Sequence, residues 1–292
     1  KKQIIMQILV TGATGNLGSS VIETLLKNIP AQNISALVRE EERIVEIQAK
    51  GITIFQGDYD NVFALERAMA NVDTVLLISA GDQGDRMQQH RNVIDTAKKS
   101  GVKNIAYTSR ALRNRETLAH QLMEEHFLKE DYIKKSGLNY TIFRNTLYMD
   151  VLPLFVGKKV FETGIFQPAG DGKVTFALRK EMGEAMANVL SNEDCKNKTY
   201  KFTNNEAYSF YDIAKALTTL SGKKVKYHPV DISTFQERMR STGIPESMLQ
   251  KVVEFNTDIK NGQEDEITND LENKLGRKPT TLKEGLKTLF GL

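Results

Sequence analysis

A doubly wound α/β fold, with a parallel sheet between layers of helices and a smaller α+β lobe after it, is predicted by three features of the chain. The apolar run Ile8-Leu9-Val10 turns through Gly12, Gly15 and Gly18 directly into a helical pattern in which Leu17, Val21 and Leu25 recur every four residues. Short apolar runs then alternate with helical patterns as far as Arg144. Beyond that point the alternation stops, and Pro153, Pro168, Pro229, Pro245 and Pro279 punctuate loops, short strands and helices.

The expected strands after the first are 34–38, 52–56, 74–79, 104–108 and 140–143, each a short apolar, partly β-branched run. Between them the expected helices are 41–50, 63–70, 87–100, stopped by Gly101, and 118–135, stopped by Gly137. Strand, helix, strand in repetition implies crossover connections and a sheet covered on both faces. In the tail, the turn Ala169-Gly170-Asp171-Gly172-Lys173 leads to an extended run at 174–178. Ser209 is placed to cap a helix running to Leu220, with Asp212 completing a capping box, and the polar, acidic stretch 256–273 is expected to be a mobile surface segment. The expected division is 1–150 for a nucleotide domain and 151–292 for a smaller substrate lobe, with some later segments returning to the sheet.

Composition narrows the function. Lys plus Arg number 40 against 37 acidic residues, a net charge of +3 that provides no field for a polyanion, so nucleic acid is not an expected partner. Cys195 stands alone, which excludes a disulfide framework. His90, His120 and His228 have no ligand-like spacing, and no metal is expected. Met123, Met182 and Met186 read as helix packing. No apolar run approaches the roughly twenty residues of a membrane span, and no secretory leader is expected before the first strand. A soluble cytoplasmic protein, monomeric or homodimeric, is the expectation.

The glycine junction is suited to a pyrophosphate. One glycine allows the turn, a second lets the main chain approach the phosphates, and the third lets the helix pack on the strand. The N–H groups at the helix start then face the anion. The spacing is G-x-x-G-x-x-G, a variant of the commoner G-x-G-x-x-G.

Strand ends supply the other candidates. The second strand ends in Arg39, whose guanidinium suits the 2′-phosphate of NADPH, where an acid would select the 2′-hydroxyl of NADH. The alternative is an exposed arginine quenched by Glu40, Glu41 or Glu42. Asp58 and Tyr59 close the third strand, Asp58 either accepting from the adenine amine or forming an Asx-type turn. Ile78 and Ser79 end the fourth strand and Thr108 the fifth, at the edge where ligands bind in such sheets.

Together, Thr11-Gly-Ala-Thr-Gly-Asn-Leu-Gly18, Ala36-Leu-Val-Arg39, Gly57-Asp58-Tyr59, Ile105-Ala-Tyr-Thr-Ser109 and Ser136-Gly-Leu-Asn-Tyr-Thr-Ile-Phe-Arg-Asn145 resemble the NmrA-like group of atypical short-chain dehydrogenases. Ala169-Gly-Asp-Gly-Lys173 and Leu275-Gly-Arg-Lys-Pro-Thr-Thr281 extend the likeness over nearly the whole chain. Within that group the chain looks most like the bacterial NAD(P)H:quinone oxidoreductases, Gln89-His-Arg-Asn-Val-Ile94 being telling, with the triphenylmethane dye reductases close behind. The resemblance implies a Rossmann-type fold and a flavin-free enzyme that passes hydride directly from NADPH, or less well NADH, to a quinone. It implies that Gly12, Thr14, Gly15, Asn16 and Leu17 hold the pyrophosphate and Arg39 the 2′-phosphate. Phe143, Arg144, Asn145 and Tyr148 would line the nicotinamide side, Asn145 and Tyr148 nearest the acceptor.

A Tyr-x-x-x-Lys pair, the proton-transfer device of alcohol-oxidising relatives, is absent from the expected nucleotide domain: four residues after Tyr107, Tyr132 and Tyr140 come Ala111, Ser136 and Arg144. Quinone reduction tolerates this loss, because the reduced acceptor's oxyanion is stable and solvent can supply the proton. His126 and Glu130, four apart on one helix face, read either as a proton-delivering or positioning pair or as an ion pair on a solvated helix. Two rival functions remain open. One is reduction of another conjugated acceptor such as a triphenylmethane dye, and the other is a dinucleotide-binding redox sensor that turns nothing over.

Overall fold

A computed structural model describes residues 6–79, 81, 84–157, 159–191 and 195–292. In chain order the elements are β1 (Ile8–Val10), α1 (Asn16–Asn28), β2 (Ile34–Val38), α2 (Ile44–Gln48), β3 (Thr53–Gln56), α3 (Val62–Met69), β4 (Thr74–Leu77), α4 (Arg86–Lys99), β5 (Asn104–Arg110), α5 (Gln121–Lys135) and β6 (Asn139–Asn145). Then follow α6 (Leu152–Val156), α7 (Val160–Thr163), β7 (Ile165–Gln167), β8 (Lys173–Val174), α8 (Arg179–Leu190), β9 (Lys198–Phe202), β10 (Tyr208–Ser209), α9 (Phe210–Ser221), β11 (Tyr227–Pro229), α10 (Ile232–Arg240), α11 (Glu246–Lys260), α12 (Asp270–Leu275) and α13 (Leu282–Phe290). No helix among the described residues is long and apolar enough to cross a membrane.

The main sheet has the order β3-β2-β1-β4-β5-β6-β9, and the pairs β3–β2, β2–β1, β1–β4 and β4–β5 are parallel. Its direction of winding reverses at β1, where β2 lies on one side and β4 on the other, which opens a crevice above their carboxyl ends. Every residue of β1, β2, β4 and β5 is buried, as a sheet with two covered faces requires. Leu9, Val75 and Ile105 anchor a core that also takes Leu65, Val93 and Ile142. Each such side chain stabilises the fold by about 1.5–3 kcal/mol.

Two compact units make up the chain. The first takes Lys1–Ser109, Glu125–Arg144 and Arg179–Tyr200, so α8 belongs with the early strands and helices although it lies late in the sequence. Asn28 at the end of α1 donates from Nδ2 to Asn188 at 3.1 Å and to Ser191 at 3.1 Å, which fixes α8 against α1. The second unit takes Arg110–Glu124, Asn145–Leu178 and Lys201–Leu292. Its core joins Leu152, Ile165, Phe176, Phe210, Leu217 and Leu286 beneath two small sheets, β11 parallel to β7 and β10 antiparallel to β8. The Ser209 capping box of α9 is formed in both directions, with Asp212 accepting from the Ser209 amide and the Ser209 hydroxyl accepting from the Asp212 amide.

Several local expectations change. The helix expected at 41–50 is a 3-10 turn at Glu41–Arg43 followed by the short α2, and the one expected from 118 begins at Gln121. The extended run expected at 174–178 ends as a strand at Val174. The stretch 256–273 is not a surface segment: Asn256, Asp258, Gln263 and Glu264 are buried. Their polarity misleads because it is spent internally. Asp258 accepts from the amides of Ala119 and His120 at 2.6 and 3.0 Å, Arg110 pairs with Glu264, and the Asn114 amide donates to the Gln263 side chain at 2.8 Å. Burial raises the Asp258 and Glu264 carboxyls above the usual carboxylate range.

Candidate functional site: a dinucleotide cleft in the first unit

The site is built from the turn after β1. Thr11 donates from Oγ1 to the Leu76 carbonyl at 2.9 Å and accepts from the Ile78 amide at 3.1 Å, which ties the turn to the end of β4. Gly12 has φ +59°, in the left-handed region that favours glycine, and its carbonyl accepts from the Gly15 amide at 3.1 Å. At Gly18 a Cβ would collide with the Gly12 carbonyl and the Ala13 Cα, so α1 can rest on the turn only with glycine there. No side chain caps the start of α1, and its first turn carries no acid. A turn that a Cβ would fill, facing helix amides with no side-chain acceptor, fits a pyrophosphate.

From this cradle a cleft of about 710 Å³ runs past the ends of β2, β3 and β4. Gly12, Thr14 and Gly15 form one end, and Arg39, Glu40, Asp58, Tyr59, Ile78 and Ser79 contribute walls. Arg39 and Glu40 form an ion pair at 3.1 Å. Asp58 accepts from the amides of Asp60 and Asn61, both at 3.0 Å, so the Asx-type turn is formed while its residue still lines the cleft. The Tyr59 hydroxyl lies 2.5 Å from Thr11 Oγ1 and 2.8 Å from the Ile78 carbonyl, so it shares its one proton between them or takes the proton of Thr11. Burial holds its phenol far above the ordinary range, and it stays neutral. The first turns of α4 brace this wall: Gln89 donates to Asp60 at 2.9 Å and Asn92 to the Tyr59 carbonyl at 2.9 Å.

Behind Ser79 lies a buried polar layer. The Ser79 amide donates to Thr108 Oγ1 at 2.8 Å, and Arg86 donates to Ser79 Oγ at 3.2 Å. Tyr107 and His126 Nδ1 lie 2.9 Å apart in hydrogen bond. Burial raises the Tyr107 phenol and lowers the His90 imidazole to about 3, so both are neutral. Glu130 accepts from Nε and Nη2 of Arg144 in a two-pronged bond at 2.9 and 2.6 Å and accepts from Ser109 at 2.6 Å. Both His126 and Glu130 are buried, so an ion pair on a solvated face does not describe them.

Gly12, Thr14, Gly15, Arg39, Asp58, Tyr59, Ile78 and Ser79, all named from the sequence, come together in the cleft. Asn16, Leu17 and Gly18 begin α1, with Leu17 and Gly18 buried beneath the turn. Thr108 is buried behind Ser79, Phe143 is in the core stacked on Tyr200, and Arg144 lies over the Phe127 ring while held by Glu130. Asn145 and Tyr148 belong to the second unit. Asn145 is 1% exposed, and neither its Nδ2 nor its Oδ1 has a hydrogen-bond partner among the described residues. A buried amide with both ends unmet is an open demand for a ligand or water. Sequence reasoning did not assign Leu37, Asp60, Gly81, Gly84 and Gln89 to the site, although they also line the cleft. Gly84, at φ +74° just before α4, was the available sign of a turn there.

The model of the NmrA-like family matches residues 5–289. Quinone oxidoreductase 2 of Escherichia coli is 36% identical over 98% of this chain and 99% of that protein. The crystal structure of an NADPH-dependent quinone oxidoreductase from Escherichia coli complexed with NADPH superposes with a TM-score of 0.92 at 35% identity, covering 97% of this chain and all (100%) of that one. Triphenylmethane reductase from Citrobacter sp. follows with a TM-score of 0.90 at 34% identity, covering 98% of this chain and 100% of that one.

Proposed function

The chain belongs to the NmrA-like family, and from that premise we propose that it is an NADPH-dependent reductase of quinones that works without flavin or metal. The observation that carries the reading is the cleft itself, which begins at the Gly12–Gly15 cradle and carries Arg39 on its wall. Under this reading Gly12, Thr14 and Gly15 hold the pyrophosphate, Arg39 meets the 2′-phosphate, and Asp58 and Tyr59 bound the adenine side. The dinucleotide, when bound, supplies the hydride. Asn145 and Tyr148 are assigned to the acceptor, on the family resemblance and on the unpartnered Asn145 amide. The Tyr-x-x-x-Lys spacing occurs once, at Tyr211 and Lys215 on α9, and neither residue lines the cleft; His126 is already hydrogen-bonded to the neutral Tyr107, so the proton comes from solvent. The setting is a reducing one such as the cytoplasm, with the protein as monomer or homodimer.

A cationic triphenylmethane dye is the second acceptor class, favoured by the likeness to a reductase of such dyes. One experiment covers both: purified protein, NADPH, and a panel of simple quinones and dyes under identical conditions, followed at 340 nm. The expected result is sustained NADPH loss, fastest with a quinone, and no flavin absorbance in the protein. A stoichiometric change that stops would make it a sensor, and copurifying flavin would overturn direct transfer.

A further inference from the structure

We infer that Glu40 is the second half of a two-headed ribose site and sets how strongly the cleft prefers NADPH over NADH. The inference rests on the proposed use of the cleft for a nicotinamide dinucleotide. β2 ends at Val38, and the next two side chains, Arg39 and Glu40, both line the cleft. They are bonded to each other, Arg39 Nη2 to Glu40 Oε1 at 3.1 Å, with side chains 64% and 47% exposed.

The two heads suit opposite ribose chemistries. A 2′-phosphate needs a cation, and a 2′-hydroxyl, as a donor, needs an acceptor such as a carboxylate. Without phosphate, Arg39 is neutralised by its neighbour. A 2′-phosphate brings up to two negative charges to the same guanidinium, so it must displace Glu40 and then stand beside it. The NADH ribose meets no such repulsion, and Glu40 offers its hydroxyl an acceptor.

The cleft carries two more carboxylates, each with one oxygen engaged away from Arg39. Asp58 Oδ1 is held by two backbone amides, and Asp60 Oδ2 takes the Gln89 amide. Glu40 is the carboxylate whose described partner is the phosphate-binding arginine itself. Because the pair is exposed and screened by water, the effect is tuning, of the order of threefold to tenfold, rather than all-or-none.

The test is equilibrium binding of NADPH and NADH to the full chain, read by nucleotide fluorescence or calorimetry without any acceptor. Glu40→Gln keeps the shape and removes the charge. Its NADPH dissociation constant should fall about threefold to tenfold while that for NADH stays level or rises up to about threefold, and the NADPH gain should shrink as salt is raised. An unchanged NADPH constant, or equal shifts for both nucleotides, overturns the assignment of Glu40. Arg39→Ala separates this from the parent reading. If wild-type protein binds NADPH and Arg39→Ala weakens it while Glu40→Gln does nothing, only the role of Glu40 falls. If wild-type protein binds neither nucleotide, the dinucleotide reading falls with it.

Discussion

Replacing Lys129 by methionine is expected to stabilise the protein at neutral pH, by an amount that fades as pH rises. The Lys129 side chain is 1% exposed, and its Nζ lies 3.4 Å from Glu125 Oε2. The same oxygen is 3.7 Å from Arg86, so one carboxylate serves two buried cations. Burial, with Arg86 adding repulsion, pushes the ammonium down from 10.5 to about 8. In the unfolded chain Lys129 holds its proton up to its ordinary value, so between these two values the unfolded state binds more protons and wild-type stability rises with pH. Below pH 8 the full penalty applies; at about 1.4 kcal/mol per pH unit it reaches roughly 3 kcal/mol. Methionine keeps the apolar stem and removes the charge, and Glu125 retains Arg86. The expected gain is therefore about 1–3 kcal/mol at pH 7, falling below about 1 kcal/mol at pH 10. Urea unfolding of both proteins at the two pH values measures it. A loss of stability at pH 7, or a gain unchanged at pH 10, would refute the reasoning.

Arg39→Ala removes charge-assisted bonds worth about 1.5–3 kcal/mol, so the NADPH Michaelis constant should rise roughly ten- to a hundredfold with NADH little affected; equal weakening of both would sink the assignment. Gly18→Ala drives a methyl into the Gly12 carbonyl and the Ala13 backbone. It should cost about 1–3 kcal/mol and loosen NADPH binding, and wild-type melting and affinity in this variant would show that the close approach is unimportant. Asn145→Ala breaks no hydrogen bond among the described residues, so turnover should fall tenfold or more with stability nearly unchanged. His126→Ala loses the Tyr107 bond and should lower stability by about 1 kcal/mol, while turnover falls by less than the roughly hundredfold of a lost general acid. Turnover and urea unfolding of the two variants, with the order reversed, would move the chemistry to His126.

The run of β1 into α1 was legible because its determinants are local: three apolar residues, glycines where the backbone needs φ of +59° or a close approach, and a helix face of Leu17, Val21 and Leu25. The β2 strand and the α9 capping box were legible for the same reason, since each is specified within a few residues. The stretch 256–273 was not. A carboxylate at 258 or 264 looks solvated until its partners, the Ala119 and His120 amides and the Arg110 guanidinium, arrive from more than a hundred residues away. His126 and Glu130 show the same limit. Their four-residue spacing was visible, but Tyr107, Ser109 and Arg144 come from other strands and decide which hydrogen bonds the two make. By itself the sequence determined the order of elements as far as β6, the glycine turn and the residues at the strand ends. The tertiary structure alone decided which of the three glutamates closes on Arg39, which late helix returns to the first unit, and that Asp258 and Glu264 are buried. Backbone propensities act over a few residues, whereas the environment of a charge depends on which distant groups the fold brings within a few ångströms of it.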